Sequence, residues 1–178
     1  MEDKITKEFL INKLDERLLG WPYKNILEIN NNTDAKLACF ILGACFIDVM
    51  AGFYFGIDCE SSKKDSGKRF KEFVKIYLTK YDSETLWSDL RCGLVHAYAA
   101  GYKYLFVHNK PSYHLYETDK KQIVINLDDF IDDVKHAYDR LIEDIRNDDK
   151  IFKNARKRYF EMGLMEPKQL DTRSHQVI

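Results

Sequence analysis

Opposite charges almost cancel in this sequence, so the chain lacks an overall field of either sign. Its 28 Lys and Arg residues stand against 29 Asp and Glu residues, which leaves a formal net charge of −1 at pH 7. A protein with this balance exerts no general attraction on nucleic acid or on anionic lipid. Any surface that binds a polyanion must therefore come from a local cluster of basic residues.

The sequence also lacks recognisable metal-binding and disulfide patterns. Cys39, Cys45, Cys59 and Cys92 form no CxxC pair and no spacing typical of a zinc site. Three of the four sit in apolar surroundings, which is typical of small buried thiols. Residues 1–4 lead into an amphipathic pattern rather than into the apolar run of a secretory signal. We therefore expect reduced thiols, no metal, no other cofactor, and a cytoplasmic protein.

One long hydrophobic run is present, from Leu37 to Ile57, and it is long enough to span a bilayer. Asp48 lies near its middle, where a carboxylate is costly inside a membrane. Lys36 is the basic residue close to an end of the run, so a clear positive flank is missing. A helix buried at the centre of a bundle explains the run equally well, and we favour that interpretation and expect no membrane partner.

Hydrophobic periodicity predicts one mainly helical domain over residues 1–166, followed by a flexible tail at 167–178. A chain of 178 residues can bury about 70% of its unfolded surface in a single core. Gly20-Trp21-Pro22 is expected to stop the first helix. The predicted helices cover residues 5–19, 35–55, 70–78, a motif helix that Asp82 or Ser83 caps, residues 127–145 and residues 150–162.

Aromatic and β-branched residues replace the helical period between about residues 103 and 127. Tyr104–His108, Tyr113–Thr118 and Gln122–Asn126 are separated by turn-forming residues. This pattern predicts three short strands in chain order. The expected fold class is therefore mainly α, a helical bundle with a small antiparallel β-meander insertion.

The segment Arg91–Tyr98, with the sequence RCGLVHAY, carries the most chemistry. Arg91 offers a planar cation that matches phosphate oxygens. His96 can take or give a proton near pH 7. On a straight α-helix these two residues point about 140° apart. Either Gly93 loosens the helix between them, or a two-fold dimer brings Arg91 of one chain near His96 of the other.

The spacing of Arg91 and His96 resembles the Arg-x4-His signature of HEPN domains, an all-helical superfamily with many metal-independent ribonucleases. With Tyr98 it is similar to the Arg-x4-His-x-Tyr form of HEPN toxins that are paired with a nucleotidyltransferase antitoxin. The resemblance implies a homodimer through the motif helix and a composite cleft where Arg91 and His96 cleave RNA. It also implies Tyr98 as a site of AMP attachment. Cys92 departs from the polar residue, often Asn, that follows the Arg in many active motifs.

Each of these residues also has a structural interpretation. Arg91 could form a salt bridge with Asp89 or with another acid, and His96 could be a core or interface histidine. Tyr98 could be an interface or core aromatic residue. Asp89, seven residues before His96, lies on its helical side and could orient the imidazole, or it could be a solvated surface acid.

Basic residues cluster in two places despite the neutral balance. Lys63, Lys64, Lys68 and Arg69 crowd one loop and the start of a helix, and they are candidate RNA-binding residues. The last predicted helix carries a second basic cluster, which the acidic segment 117–149 precedes. Solvated helix faces are the alternative interpretation of both clusters. The second cluster comprises Lys150, Lys153, Arg156, Lys157 and Arg158.

Two further pairs carry weaker signals. Cys92 and His96 are four residues apart and could meet on one helix face, but no oxyanion-hole signature accompanies them. His108 and His114 flank the first predicted hairpin turn and could bind a metal, although surface histidines explain them better. The leading expectation is a metal-independent endoribonuclease with a toxin or defence role. The alternatives are a non-catalytic HEPN-like RNA-binding or protein-assembly module, and a membrane-associated helical protein.

Overall fold

The computed structural model describes residues 5–57, 65–94 and 101–162, and these residues form a mainly helical fold with a small two-stranded sheet. The predicted fold class, a mainly α fold with a small β insertion, is confirmed. We number the elements in chain order and call residues 83–94 the motif helix, which begins as α5 and continues as π2. The helical elements are α1 (Lys7–Leu14), π1 (Asp15–Tyr23), α2 (Lys24–Asn32), α3 (Lys36–Phe55), α4 (Ser66–Tyr77), α5 (Ser83–Thr85), π2 (Leu86–Leu94), α6 (Leu127–Asn147) and α7 (Asp149–Met162).

The first helix does not stop at Gly20-Trp21-Pro22, contrary to the prediction. The chain instead widens into the π-helix π1 and continues without a break into α2. Pro22 lies inside π1. A proline donates no backbone hydrogen bond, and in an α-helix its ring clashes with the preceding turn. The wider turn, with its i→i+5 hydrogen bonds, accommodates that ring and lets the helix continue.

Helix α3 is the centre of the core. It packs against α2, α4, α6, α7 and the motif helix. Its end is sharp, because Gly56 adopts a left-handed backbone with φ of 65° and donates its N–H to the carbonyl of Gly52. Each large apolar side chain that is fully buried stabilises the fold by about 1.5–3 kcal/mol. The buried hydrophobic residues of α3 are Cys39, Phe40, Ala44, Phe46, Ile47, Met50, Ala51 and Phe53.

Among the described residues, α3 is the helix that is long and apolar enough to cross a membrane. In its most apolar stretch 56% of the residues are buried inside the fold. Asp48, in the middle of this helix, forms an ion pair with Arg91 of the motif helix. Burial against other helices and a paired carboxylate are both typical of the core helix of a soluble protein.

The β insertion contains two strands, β1 (Tyr104–Val107) and β2 (Ile123–Asn126). They pair in parallel, with the first residue of one strand opposite the first residue of the other. The predicted meander is therefore wrong in its strand order and in the direction of the β1–β2 pair, whereas the middle segment pairs with β2 in the predicted antiparallel direction through Glu117 and Ile123. Residues 108–122 supply the long connection that two parallel neighbours require.

The segment predicted as the middle strand lies on the far side of β2. Leu115 donates its N–H to the carbonyl of Val124, and Val124 donates its N–H to the carbonyl of Tyr116. This segment does not become a regular strand, because a 3₁₀ turn starts at Pro111 and Leu115 adopts a positive φ of 61°. Strand β2, whose last three residues are buried, takes the central position.

Candidate functional site

The described part of the chain contains four of the predicted site residues. Arg91 and Asp89 lie on π2, and Lys68 and Arg69 lie in the first turns of α4. The predicted residues His96, Tyr98, Lys63 and Lys64 lie outside the described residues. The described part of the motif is therefore its Arg91 end.

The motif helix begins at an N-cap and then widens. The Asp82 carboxylate accepts hydrogen bonds from the backbone N–H and the hydroxyl of Thr85, which confirms the predicted cap. From Leu86 onward the helix is π-helical. Its leucines at intervals of four, Leu86, Leu90 and Leu94, are buried and fix this face against the core. Arg91 follows Leu90 directly and is largely buried as well.

Arg91 is held by contacts from two helices. Its Nε donates to Oδ2 of Asp48 at 3.0 Å, and its guanidinium carbon lies 5.7 Å from the centre of the Trp87 ring. Both charged side chains are largely buried, with 19% of Arg91 and 24% of Asp48 exposed. The Nη1 atom of Arg91 is buried and has no hydrogen-bond partner among the described residues. The salt bridge expected for Arg91 thus exists, and its partner is Asp48 rather than Asp89.

Asp89 connects the motif helix to the start of β1 through hydrogen bonds. Its Oδ2 accepts hydrogen bonds from the backbone N–H groups of Lys103 and Tyr104, at 2.9 and 3.0 Å. Its Oδ1 accepts a hydrogen bond from the Ser88 hydroxyl. Gly101 passes so close that a Cβ added there would lie 2.0 Å from the Asp89 carboxyl carbon. Asp89 is 7% exposed, so the interpretation as a solvated surface acid is wrong.

The role of Asp89 predicts a large effect on stability. Asp89→Ala removes the acceptor of two backbone N–H groups at a buried site, and each unsatisfied group costs about 1–3 kcal/mol. We expect the free energy of unfolding to fall by about 3 kcal/mol, measured by urea denaturation. Asp89→Asn keeps one acceptor oxygen and should lose less than half as much. Equal stability of Asp89→Ala and the wild type would contradict this role.

A cavity of about 390 Å³ opens beside Arg91, between α3, α4, α7 and the motif helix. Its most unusual feature is its charge, since Arg69, Arg91 and Arg158 all line it and Asp48 is the one carboxylate among the described lining residues. We call it the arginine cavity. Its described lining residues are Cys45, Asp48, Val49, Gly52, Ile57, Ser66, Arg69, Arg91 and Arg158.

Two of these arginines are buried, where sequence patterns predicted solvated basic faces. Arg69 and Arg158 are each 8% exposed, whereas Lys68 next to Arg69 is exposed. Arg158 donates from Nη1 to the carbonyl of Ile57. Its guanidinium lies against Gly52 of α3, where an added Cβ would come within 3.0 Å of Nε. Gly52 therefore provides the space that lets Arg158 reach the cavity.

His114 belongs to a second polar cluster. Its Nδ1 accepts the backbone N–H of Asn126 at 3.2 Å, and its Nε2 lies 3.4 Å from Oδ2 of Asp133 and 3.2 Å from the Tyr81 hydroxyl. Burial alone raises the pKa of Asp133, but hydrogen bonds from His114, Lys80 and Tyr81 outweigh it and lower the pKa to about 2. These contacts occupy both ring nitrogens of His114.

The described residues hold no group of three His, Cys, Asp or Glu side chains that could bind a metal ion. His108 is exposed and lies beside Asn109. Comparisons of the chain with protein-family models, with curated proteins and with solved structures gave no match. The chemistry of the arginine cavity is therefore the basis for a proposal about function.

Proposed function

We propose that this protein is a metal-independent endoribonuclease of the HEPN type with a toxin or defence role, in which Arg91 and His96 act on RNA. The observation that carries the proposal is the position of Arg91. Its guanidinium is fixed by Asp48 and Trp87 at the wall of a cavity with two more arginines. Its Nη1 is a buried donor that has no hydrogen-bond partner among the described residues.

The π-helical winding around Arg91 supports a functional site at this part of the motif helix. An α-helix turns residues five apart to different sides, but π-helical hydrogen bonds connect residues i and i+5. The helix is π-helical through Arg91 and up to Leu94. Single π-helical turns are also frequent at functional sites.

In the proposed reaction, His96 accepts the proton of an RNA 2′-hydroxyl, and the 2′-oxygen attacks the adjacent phosphorus. The bond to the 5′-oxygen breaks, and that oxygen takes up a proton as it leaves. Arg91 binds the phosphate and stabilises the negative charge that develops on its oxygens. The products are a 2′,3′-cyclic phosphate and a 5′-hydroxyl. The reaction needs no metal ion, and it is restricted to RNA because it uses the 2′-hydroxyl.

The proposal includes a homodimer through the motif helix, with a composite cleft that takes Arg91 from one protomer and His96 from the other. Two-fold dimers are the commonest soluble assemblies. It also includes a nucleotidyltransferase-type antitoxin as a partner, which would attach AMP to Tyr98. A bulky anion next to the cleft would exclude RNA by repulsion and by steric hindrance.

Cleavage of RNA in EDTA tests the proposal. We expect the wild type to cleave a mixed RNA pool in the presence of EDTA and to leave cyclic-phosphate ends. A strand of the same sequence with 2′-deoxy nucleotides should stay intact, because it lacks the attacking hydroxyl. His96→Ala, purified in parallel, controls for contaminating nucleases. Activity that requires a metal ion, or that cuts the 2′-deoxy strand equally well, would overturn the proposal.

An RNA-binding or protein-assembly module is the second candidate, and one surface favours it. The β insertion exposes aromatic residues, with 54% of both Tyr113 and Tyr116 accessible to solvent, around an apolar recess of about 280 Å³. Exposed aromatic groups can stack on bases or pack against a partner protein. If this candidate is right, His96→Ala will match the wild type in every RNA assay.

A further inference from the structure

The outer face of the small sheet is apolar, although the helices do not fully cover it. Side chains alternate between the two faces of a strand, and Tyr104 of β1 and Ile125 of β2 point inward and are buried. Leu105, the next residue of β1, points outward and is 41% exposed. Parallel strands normally have both of their faces covered. An apolar face that stays partly open is typical of a binding surface.

Two tyrosines stand over this outer face and line a recess of about 280 Å³. Tyr113 and Tyr116 are each 54% exposed, and their ring centroids lie 6.1 Å apart with an angle of 84° between the ring planes. In such an edge-to-face contact one ring offers only its edge, so its two flat faces stay clear of the other ring. We call this site the tyrosine recess. Leu105, Val107 and Val124 of the sheet line it together with Lys110 and Thr118.

An unusual backbone brings the two tyrosines to the same side of the sheet. In a regular strand, residues three apart point to opposite faces. Leu115, which lies between the tyrosines, adopts a positive φ of 61°, and a 3₁₀ turn precedes it. This conformation interrupts the alternation and is unfavourable for a residue that has a Cβ atom. Strained backbone of this kind is concentrated at functional sites, which supports a binding role for the two rings.

The size and the chemistry of the recess suit a flat aromatic group that carries a phosphate. A volume of about 280 Å³ is at the lower limit of small-molecule sites, so it suits one compact group rather than the broad surface of a folded protein. The free faces of the tyrosines can stack on such a group. Lys110 is part of the lining and is exposed, so its ammonium group can reach a phosphate beside the stacked ring. A stackable base next to a phosphate is the repeating unit of a single-stranded nucleic acid.

We infer that the tyrosine recess binds a base of a single-stranded nucleic acid, stacked on Tyr113 or Tyr116, with the adjacent phosphate near Lys110. The described lining is largely apolar, so the recess accepts different bases with little preference. A duplex binds poorly, because its bases are stacked on one another. That the strand is RNA rests on the proposed function, in which the recess holds the substrate at a site apart from Arg91. Base binding itself requires neither His96 nor cleavage.

Fluorescence anisotropy with a labelled single strand of about eight 2′-deoxynucleotides tests the inference. The proposed ribonuclease cannot cleave this probe, because the probe lacks the 2′-hydroxyl. Its matched control is an abasic strand with the same number of phosphates, which keeps the charge and lacks the rings. We expect the abasic strand and a duplex of the same sequence to bind at least about tenfold more weakly. Failure of the single strand to bind, or equal affinity for the abasic strand, would overturn the inference.

Variants of the protein link this binding to the recess. Tyr113→Ala and Tyr116→Ala should each weaken binding of the single strand about tenfold, the effect of one lost stacking contact. Tyr113→Phe and Tyr116→Phe keep the ring and should bind within about twofold of the wild type. The control is Tyr102→Ala, which removes a tyrosine of the same insertion that is 97% exposed and is not among the described lining residues. Equal affinity of all five variants and the wild type would contradict the inference.

A proline-rich peptide provides a competing probe, because such peptides bind in grooves that aromatic residues line. If the peptide binds and the single strand does not, the recess belongs to a protein partner and the inference is overturned. Binding of the single strand by a protein that never cleaves RNA would retain the recess and reject the ribonuclease. Metal-independent cleavage, without any effect of Tyr113→Ala and Tyr116→Ala on strand binding, would retain the ribonuclease and reject the recess.

Discussion

Arg91→Gln is expected to reduce RNA cleavage about 100- to 1,000-fold, the cost of removing one group that stabilises transition-state charge. Asp48→Asn is expected to retain cleavage within a few-fold of the wild type. Both substitutions break the same ion pair, whose atoms are 3.0 Å apart, and both replace a charged side chain by an amide. The two variants therefore share the structural damage and differ in whether the cation remains.

The stability of the two variants provides the control for this comparison. Because each side chain of the pair is about a fifth to a quarter exposed, breaking it should cost about 1–3 kcal/mol in either variant. Urea denaturation measures this cost, and single-turnover cleavage measures the rate. A purely structural Arg91 predicts equal losses of cleavage in Arg91→Gln and Asp48→Asn. That result would remove Arg91 from the catalytic machinery.

Hydrophobic periodicity predicts the positions of the main helices, because these helices are amphipathic or wholly apolar. The apolar run was predicted as a helix over residues 35–55 and is observed as Lys36–Phe55. Residues 127–145 were predicted from a regular apolar stripe, and the helix runs from Leu127 to Asn147. Burial of one continuous face determines both elements, and that information is present in the local sequence.

The winding of the helices and the order of the strands could not be predicted in this way. The apolar residues of these two segments did not reveal π1 around Pro22 or π2 around Arg91. For the strands, three apolar segments with turn residues between them favour a meander. The packing of β2 between β1 and the segment at Leu115 depends on tertiary contacts, and local propensity does not encode it.

The arginine cavity, like the strand order, could not be predicted from the local sequence. Arg69 and Arg158 are far apart in sequence, and each stands in a run of basic residues that is typical of a solvated surface. The one local signal was Asp48 in the apolar run, because a carboxylate in a buried helix requires a partner. An ion pair of Arg91 could be predicted from the sequence, but its partner Asp48 could not. The two residues meet only because α3 packs on the motif helix.

Subunit mixing tests most directly the central claim that Arg91 and His96 act together on RNA in a dimer. Arg91→Gln and His96→Ala should each be inactive alone. When the two variants are mixed, unfolded and refolded together, half of the dimers contain one copy of each, and one of their two composite clefts is intact. Cleavage should then recover to about a quarter of the wild-type rate. A mixture that forms dimers yet stays as inactive as its components would contradict the composite site.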